Sequence, residues 1–326
     1  MNRRSNLIVF LFLLTGGILA QASFGWTVED AFRDPLPSWR DGTLSNKAKI
    51  IRFVKRVTET RSPDFVPAPD RVAVLDMDGT IFCEKPLYLS MAIALRRLRE
   101  ISTHQTALRN QQPYKAVIKN DRIYLRRHFV QILLEAHSGY TQKQYMEEVR
   151  NFLRNEKHPR WKRPYKDLFY QPVLELIAFL KSRDFKVCVV SGSWQALVRS
   201  IGMEQLGLDP SYLIGTKAEL AFEMKEEKAM FFRQGKELQP KNMRKGKPIN
   251  IWQHIGRRPI LAFGNSGGDQ DMFEYTDADP SKTLILCLVH DDAEREYCYE
   301  SRVKYRPHWL SVSMKNDFLV VFRAGP

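Results

Sequence analysis

Four stretches of the chain are almost continuously apolar and end in polar residues. They are "RVAVLDMDGT" from Arg71, "FKVCVVSGS" from Phe185, "RPILAFGNSGGDQD" from Arg258 and "TLILCLVHDD" from Thr283. Short apolar runs without alternation are what a strand shows when it is buried on both faces of a parallel sheet. The predicted strands are 71–76, 185–193, the start of 258–271, and 283–292. Amphipathic segments separate them, among them "VLELIAFLKSR" (173–183), whose basic end suits a helix C-terminus. Strands alternating with helices predict an α/β fold with a doubly wound parallel sheet.

Helical spacing appears in two further regions. Ile50, Ile51, Val54 and Val57 predict a helix over roughly 45–59, broken by Pro63, Pro67 and Pro69. The interval between the first and second strands is too long for one crossover, and it reads as helices at 87–101, about 121–137 and 141–156. Thr141 and Gln144 form a capping box for the last of these, Gly139 can end the helix before it, and Tyr145, Val149, Phe152 and Leu153 give it an apolar face. A helical insertion at this position can cover the strand ends. The expected division is a signal peptide at 1–22, an N-terminal helical extension at 23–69, an α/β core from 70–86 and 166–326, and a helical cap at 87–165.

Composition changes little in this picture. The chain has 326 residues, 44% hydrophobic and 27% charged, as in an ordinary globular protein, and it shows no internal repeat or low-complexity tract. The formal net charge of +14 is spread along the chain and favours anionic partners without selecting one. The N-terminus adds more. Asn2-Arg3-Arg4 precede the apolar "LIVFLFLLTGGILA" (7–20), and Ala20-Gln21-Ala22 fits small-x-small cleavage. The apolar stretch is short for a membrane span, which takes about 20 residues. Cleavage after Ala22, export to a periplasm or medium, and no stable membrane insertion afterwards are expected. Cys188 and Cys287 lie inside apolar runs, and no cysteine pair has CxxC spacing, so neither an essential disulfide nor a zinc site is expected.

Candidate chemistry sits where each apolar run stops. In doubly wound sheets, ligands bind beyond the carboxyl ends of the strands. Asp76 and Asp78 end the first run and point to one side of the chain. A carboxylate such as Asp76 can attack phosphorus if a cation screens the repulsion. Magnesium takes carboxylates, carbonyls and waters. Asp78 can give a proton to the leaving oxygen and later take one from water. Gly79 permits close backbone approach, and Thr80 can cap the turn. Ser191, with the amides of Gly192 and Ser193 at an expected helix start, can bind phosphate. Lys247, rather than its near competitor Lys245, can offset the charge of the attacking carboxylate and the phosphoryl oxygens. Asn265 and Asp269 can complete a metal shell with Asp76 and Asp78. "HDD" at 290–292 reads as a turn, and the basic-aromatic "HPRWKRPYKDLFY" (158–170) as a linker or an anion contact.

These motifs in this order resemble the haloacid dehalogenase-like hydrolase superfamily, in particular its phosphoserine phosphatase-like branch with a helical cap. "DMDGT", "VVSGS", "GKP" and "GNSGGDQD" look like its four motifs, and the resemblance spans about 70–323. It implies Asp76 as nucleophile, Asp78 as general acid/base, Ser191 as phosphoryl ligand, Lys247 as charge stabiliser, and Mg2+ held by Asp76, the Asp78 carbonyl and the fourth motif. Asn265 departs from the usual aspartate. Glu84, near the cap entry, matches approximately a glutamate that contacts the substrate amine in that branch. The implied function is an exported phosphomonoesterase acting on a small phosphorylated substrate through an aspartyl phosphate, with no nucleic-acid partner. Phosphotransfer to an alcohol and non-catalytic binding of a phospholigand are the alternatives. Dehalogenation is disfavoured by the second acid, Asp78.

Overall fold

The protein is described by a computed structural model over residues 34–324. The expected signal peptide therefore lies outside the described residues. Helix α1 (Asn46–Thr58) starts where the Ser45 side chain accepts from the Ala48 amide, and it buries Ile50, Phe53, Val54 and Val57 on the core. The first strand, β1 (Val72–Leu75), follows and is fully buried.

An insertion comes next. Helix α2 is Leu89–His104, α3 is Tyr114–Lys119, α4 is Arg122–Arg127, α5 is Phe129–Glu135 and α6 is Gln142–Asn155. The region expected as one helix over about 121–137 is two short ones, broken at His128, whose backbone leaves helical geometry (φ −105°, ψ 27°). The capping box of α6 is present: Thr141 Oγ1 accepts from the Gln144 amide at 3.1 Å, and Gln144 Oε1 accepts from the Thr141 amide at 2.9 Å. The two stems of the insertion meet as they leave the core. The Cys83 amide donates to the Leu168 carbonyl, the Tyr170 amide donates to the Ile81 carbonyl, and Phe82 bridges Phe169.

The chain then returns to the sheet through α7 (Gln171–Lys181), β2 (Lys186–Trp194), α8 (Gln195–Gln205) and β3 (Leu213–Thr216). After a hairpin come α9 (Gly246–Ile255), β6 (Leu261–Gly264), α10 (Gln270–Thr276), β7 (Leu284–Asp291), β8 (Cys298–Tyr299), β9 (Leu310–Ser313) and a short α11 (Met314–Asp317). The sheet runs β3-β2-β1-β6-β7, all parallel. β9 is parallel and β8 antiparallel to β7.

Side chains of β1 alternate between two cores. Ala73 and Leu75 join one, with α7 and α8. Val72 and Val74 join the other, with Ile251 of α9 and with Met272 and Phe273 of α10. Burial on both faces explains the unbroken apolar runs, and each large side chain so buried contributes about 1.5–3 kcal/mol.

The hairpin is absent from the sequence-based expectation. Strands β4 (Ala218–Lys225) and β5 (Lys228–Glu237) pair antiparallel through a two-residue turn, with Glu226 at φ 49° and Glu227 at φ 63°. It does not extend the main sheet. The Gly139 amide donates to the Arg233 carbonyl and the Arg233 amide to the Tyr140 carbonyl, which ties β5 to the helical insertion. The buried Arg233 guanidinium lies 4.3 Å from the Tyr145 ring centroid and 5.2 Å from that of Trp194. Such cation–π contacts join insertion, hairpin and core.

Candidate active site

β1 delivers Asp76, whose amide donates to the Phe263 carbonyl of β6 at 2.9 Å. The next residues wrap one carbonyl: the amides of Thr80, Ile81 and Phe82 all donate to Met77 O. This tight turn holds Asp78 beside Asp76. Gly79 sits at φ +77°, and a Cβ there would lie 2.0 Å from Asn265 Nδ2. Both the left-handed backbone and the close approach exclude a side chain.

Lys247 lies in the first turn of α9, buried, while Lys245 is exposed. Its ammonium donates to Asp76 Oδ1 at 2.6 Å, to Asp269 Oδ1 at 2.6 Å and to the Val190 carbonyl at 2.7 Å. All three protons are thereby used. Burial alone would lower its pKa, but the Asp269 and Asp76 carboxylates outweigh it and hold Lys247 above the usual lysine range. Asp76 is pushed upward by burial and next by Asp269, against the pull of Lys247. The direction is upward because Asp76 is buried and shares its one ammonium with a second buried carboxylate.

Asp78 Oδ2 accepts from Ser191 Oγ at 3.0 Å and Ser193 Oγ at 2.8 Å, while its buried Oδ1 has no partner. Burial raises its pKa, and the two serine hydrogen bonds oppose this less strongly. A carboxyl that keeps its proton above the usual range suits a general acid.

Several expectations are corrected here. β2 continues to Trp194 and α8 starts at Gln195, so Ser191–Ser193 end a strand and do not open a helix. Ser191 is fully buried and steadies Asp78, and the Ser193 amide is already donated to Ser191 Oγ. Gly192 and Ser193 line the cavity above the acids. Asn265 is buried against Gly79, with Oδ1 3.4 Å from Thr80 Oγ1, and does not line that cavity. Glu84 does line it, with its Oε1 3.2 Å from the Lys85 ammonium.

"HDD" is not a simple turn. His290 and Asp291 close β7. Buried His290 places Nε2 2.8 Å from the Gly79 carbonyl and Nδ1 3.1 Å from Glu296 Oε2. Tyr170 OH and the Cys83 thiol donate to the other oxygen of Glu296 at 3.0 and 3.1 Å. This buried network holds the Asp78–Gly79 turn from behind. The signal that marked the other strand ends, a polar residue closing a buried run, was present at His290 as well. Cys83, Cys188 and Cys287 are buried and Cys298 is exposed, all free thiols.

No cluster of three or more His, Cys, Asp or Glu side chains in metal-ligating arrangement occurs among the described residues. A hard cation that takes few protein ligands still fits. The donors are oxygens, Asp76 and Asp269 carry more negative charge than Lys247 balances, and Asp78 Oδ1 is unpartnered. Asp269 is heavily engaged already, since its Oδ2 accepts from the Asn265 and Ser266 amides and from Ser266 Oγ.

A family model described as haloacid dehalogenase-like hydrolase matches residues 73–274. No curated protein matches the sequence. Among solved structures, a conserved functionally unknown protein from Anaerococcus prevotii aligns at 12% identity and TM-score 0.48, over 75% of this chain and 85% of its own. A probable phosphoserine phosphatase from Vibrio cholerae aligns at 15% and TM-score 0.38, over 76% and 65%. The cytosolic 5'-nucleotidase IIIB bound to cytidine aligns at 13% and TM-score 0.41, over 82% and 85%.

Proposed function

Because this chain belongs to the haloacid dehalogenase-like hydrolase family, we propose that it is an exported, magnesium-dependent phosphomonoesterase that works through an aspartyl phosphate. The observation that carries the reading is the pair of acids after β1. One is held by an ammonium, the other by two hydroxyls, and both face one cavity.

In this mechanism an Asp76 carboxylate oxygen attacks phosphorus and the P–O bond to the alcohol breaks. Lys247 keeps Asp76 oriented through Oδ1. Asp78, protonated, gives its proton to the leaving oxygen. The alcohol departs, water attacks the phosphorus of the acyl phosphate, and Asp78, now a carboxylate, takes the proton of that water. The P–O bond to Asp76 breaks and phosphate leaves. Ser191 and Ser193 steady Asp78 in both states. Asp76, the Asp78 carbonyl and Asp269 are the groups that would hold Mg2+, with Asn265 set back behind Gly79, and when bound the ion would screen Asp76 from the anionic substrate.

Asp78→Asn tests the sequence of steps. Turnover is expected to fall by about 10²–10⁴-fold, the usual worth of general acid–base catalysis. With p-nitrophenyl phosphate, whose leaving group needs little protonation, phosphorylated Asp76 should accumulate and be found by mass spectrometry after acid quench. Phosphate trapped on another residue would sink the mechanism.

Export rests on the N-terminal pattern, with Arg3-Arg4 ahead of an apolar run and Ala20-Gln21-Ala22. N-terminal sequencing of the exported protein should begin at Ser23. A full-length chain held in the membrane would overturn cleavage.

A further inference from the structure

We propose that the alcohol portion of the substrate is apolar and uncharged, an aryl or alkyl group and not an amino acid, amine or nucleotide. This rests on the phosphatase reading above and deepens it.

The cavity over the acids has a volume of about 310 Å³, at the small end for ligand pockets. Its floor is polar: Asp76, Asp78, Lys247 and Asp269. Its outer wall is made by Tyr88, Phe129, Val130, Leu133, Trp194 and Met243. These come from separate parts of the chain, namely the start of α2, helix α5, the end of β2 and the loop before α9. Tyr88 and Phe129 stand edge to face, with centroids 6.1 Å apart and planes at 80°. Tyr88, Val130 and Met243 remain 43%, 38% and 54% exposed at the mouth. Apolar side chains from distant segments converge on one opening, Leu133 and Trp194 buried and Tyr88, Val130 and Met243 left partly in water, which marks a surface that a ligand can cover.

The charged side chains of this outer wall are already matched. Glu84 pairs with Lys85, whose ammonium also lies 4.3 Å from the Tyr299 ring centroid. Glu237 pairs with Lys241. Thr216 donates to the Gly192 carbonyl and accepts from the Asn242 amide. The Trp194 indole N–H, buried without a partner, is a single neutral donor that one uncharged acceptor oxygen would satisfy. A substrate ammonium would have to displace Lys85 from Glu84. A substrate carboxylate would have to draw Lys241 or Lys85 from its partner. Either exchange only trades one ion pair for another, and because Lys85 and Lys241 are themselves about a third exposed the new pair adds little binding energy. An aryl or alkyl group needs no such exchange and adds an edge or face to the Tyr88–Phe129 pair.

The test compares phosphates of similar alcohols in the presence of magnesium: benzyl phosphate against O-phosphoserine, phosphoethanolamine and glycerol phosphate. Benzyl phosphate should show a kcat/KM about 10²-fold higher, the scale of discrimination that apolar contacts supply. O-phosphoserine or phosphoethanolamine turned over as well as benzyl phosphate would overturn the inference and leave the phosphatase reading standing. Failure of all four, together with no magnesium-dependent vanadate binding, would overturn that reading and this one with it. In Phe129→Ala and Met243→Ser the preference for benzyl phosphate should fall about tenfold. Met243 is exposed, so its variant should fold, and an unchanged preference in both would show that this wall does not select the substrate.

Discussion

Asp76→Asn is expected to lower turnover of p-nitrophenyl phosphate by at least about 10⁴-fold while leaving the protein folded. The amide is a poor nucleophile, so the covalent route closes. Stability should move the other way, or not at all. Asp76 is buried, and its carboxylate shares a single ammonium with Asp269 at 2.6 Å from each. Burial and Asp269 push its pKa upward. Charging Asp76 thus opposes folding in the absence of metal, and the neutral amide removes that cost. Thermal unfolding without added metal should show a midpoint equal to or above that of the unsubstituted protein. Near wild-type turnover would remove Asp76 from the chemistry. A collapse of stability would mean that Asp76 serves mainly as a structural partner of Lys247.

Lys247→Met should cost both activity and stability. It removes the cation from between Asp76 and Asp269 and leaves two buried carboxylates facing each other. Breaking a buried ion pair from one side costs about 3–5 kcal/mol. That is a large share of a typical folding stability of about 5–15 kcal/mol. Loss of the charge beside the attacking carboxylate should lower kcat by about 10²–10³-fold. The neighbour Lys245 is exposed, and Lys245→Met should change stability by no more than about 0.5 kcal/mol. The variant should also respond to pH in a set direction. The folded-state pKa of Asp76 is raised, so the folded state binds its proton more readily than the unfolded chain does. Such a group contributes stability below its unfolded pKa and loses it as pH rises through the folded value. Without Lys247 to pull that pKa down, the loss at neutral pH should exceed the loss in acid. Urea denaturation at pH 5 and pH 8 measures the difference. An equal loss at both would show that Asp76 and Asp269 carry no uncompensated charge.

Much of the core was legible because its strands are buried on both faces. β1, β2, β6 and β7 coincide with the four apolar runs, and parallel pairing brings their carboxyl ends to one edge. That geometry gathers Asp76, Asp78, Lys247 and Asp269 from distant parts of the chain. Other features could not be read by the same rule. The hairpin has an alternating pattern, Leu220, Phe222 and Met224, and much of it is exposed. Its turn uses Glu226 and Glu227 in left-handed backbone, without the glycine or asparagine that advertises such turns. The roles of Ser191 and His290 depend on which neighbour each side chain meets. Ser191 turns to Asp78, and His290 reaches across the sheet edge to Gly79 and Glu296. Spacing along the chain carries no information about such choices.

The pinned stems of the insertion have an evolutionary consequence. The Cys83–Leu168 and Tyr170–Ile81 hydrogen bonds close the loop at its base, before any of its helices begin. The entropy of closing a loop grows only with the logarithm of its length, so doubling an insertion costs about 0.6 kcal/mol. Helices beyond this neck that do not pack on the core or on the hairpin can be lengthened, shortened or exchanged with little effect on the strands beneath. Tyr88, Phe129, Val130 and Leu133 lie beyond the neck, whereas Asp76 and Asp78 lie before it. Descendants of such a chain can drift from one alcohol to another while the acids stay where β1 set them.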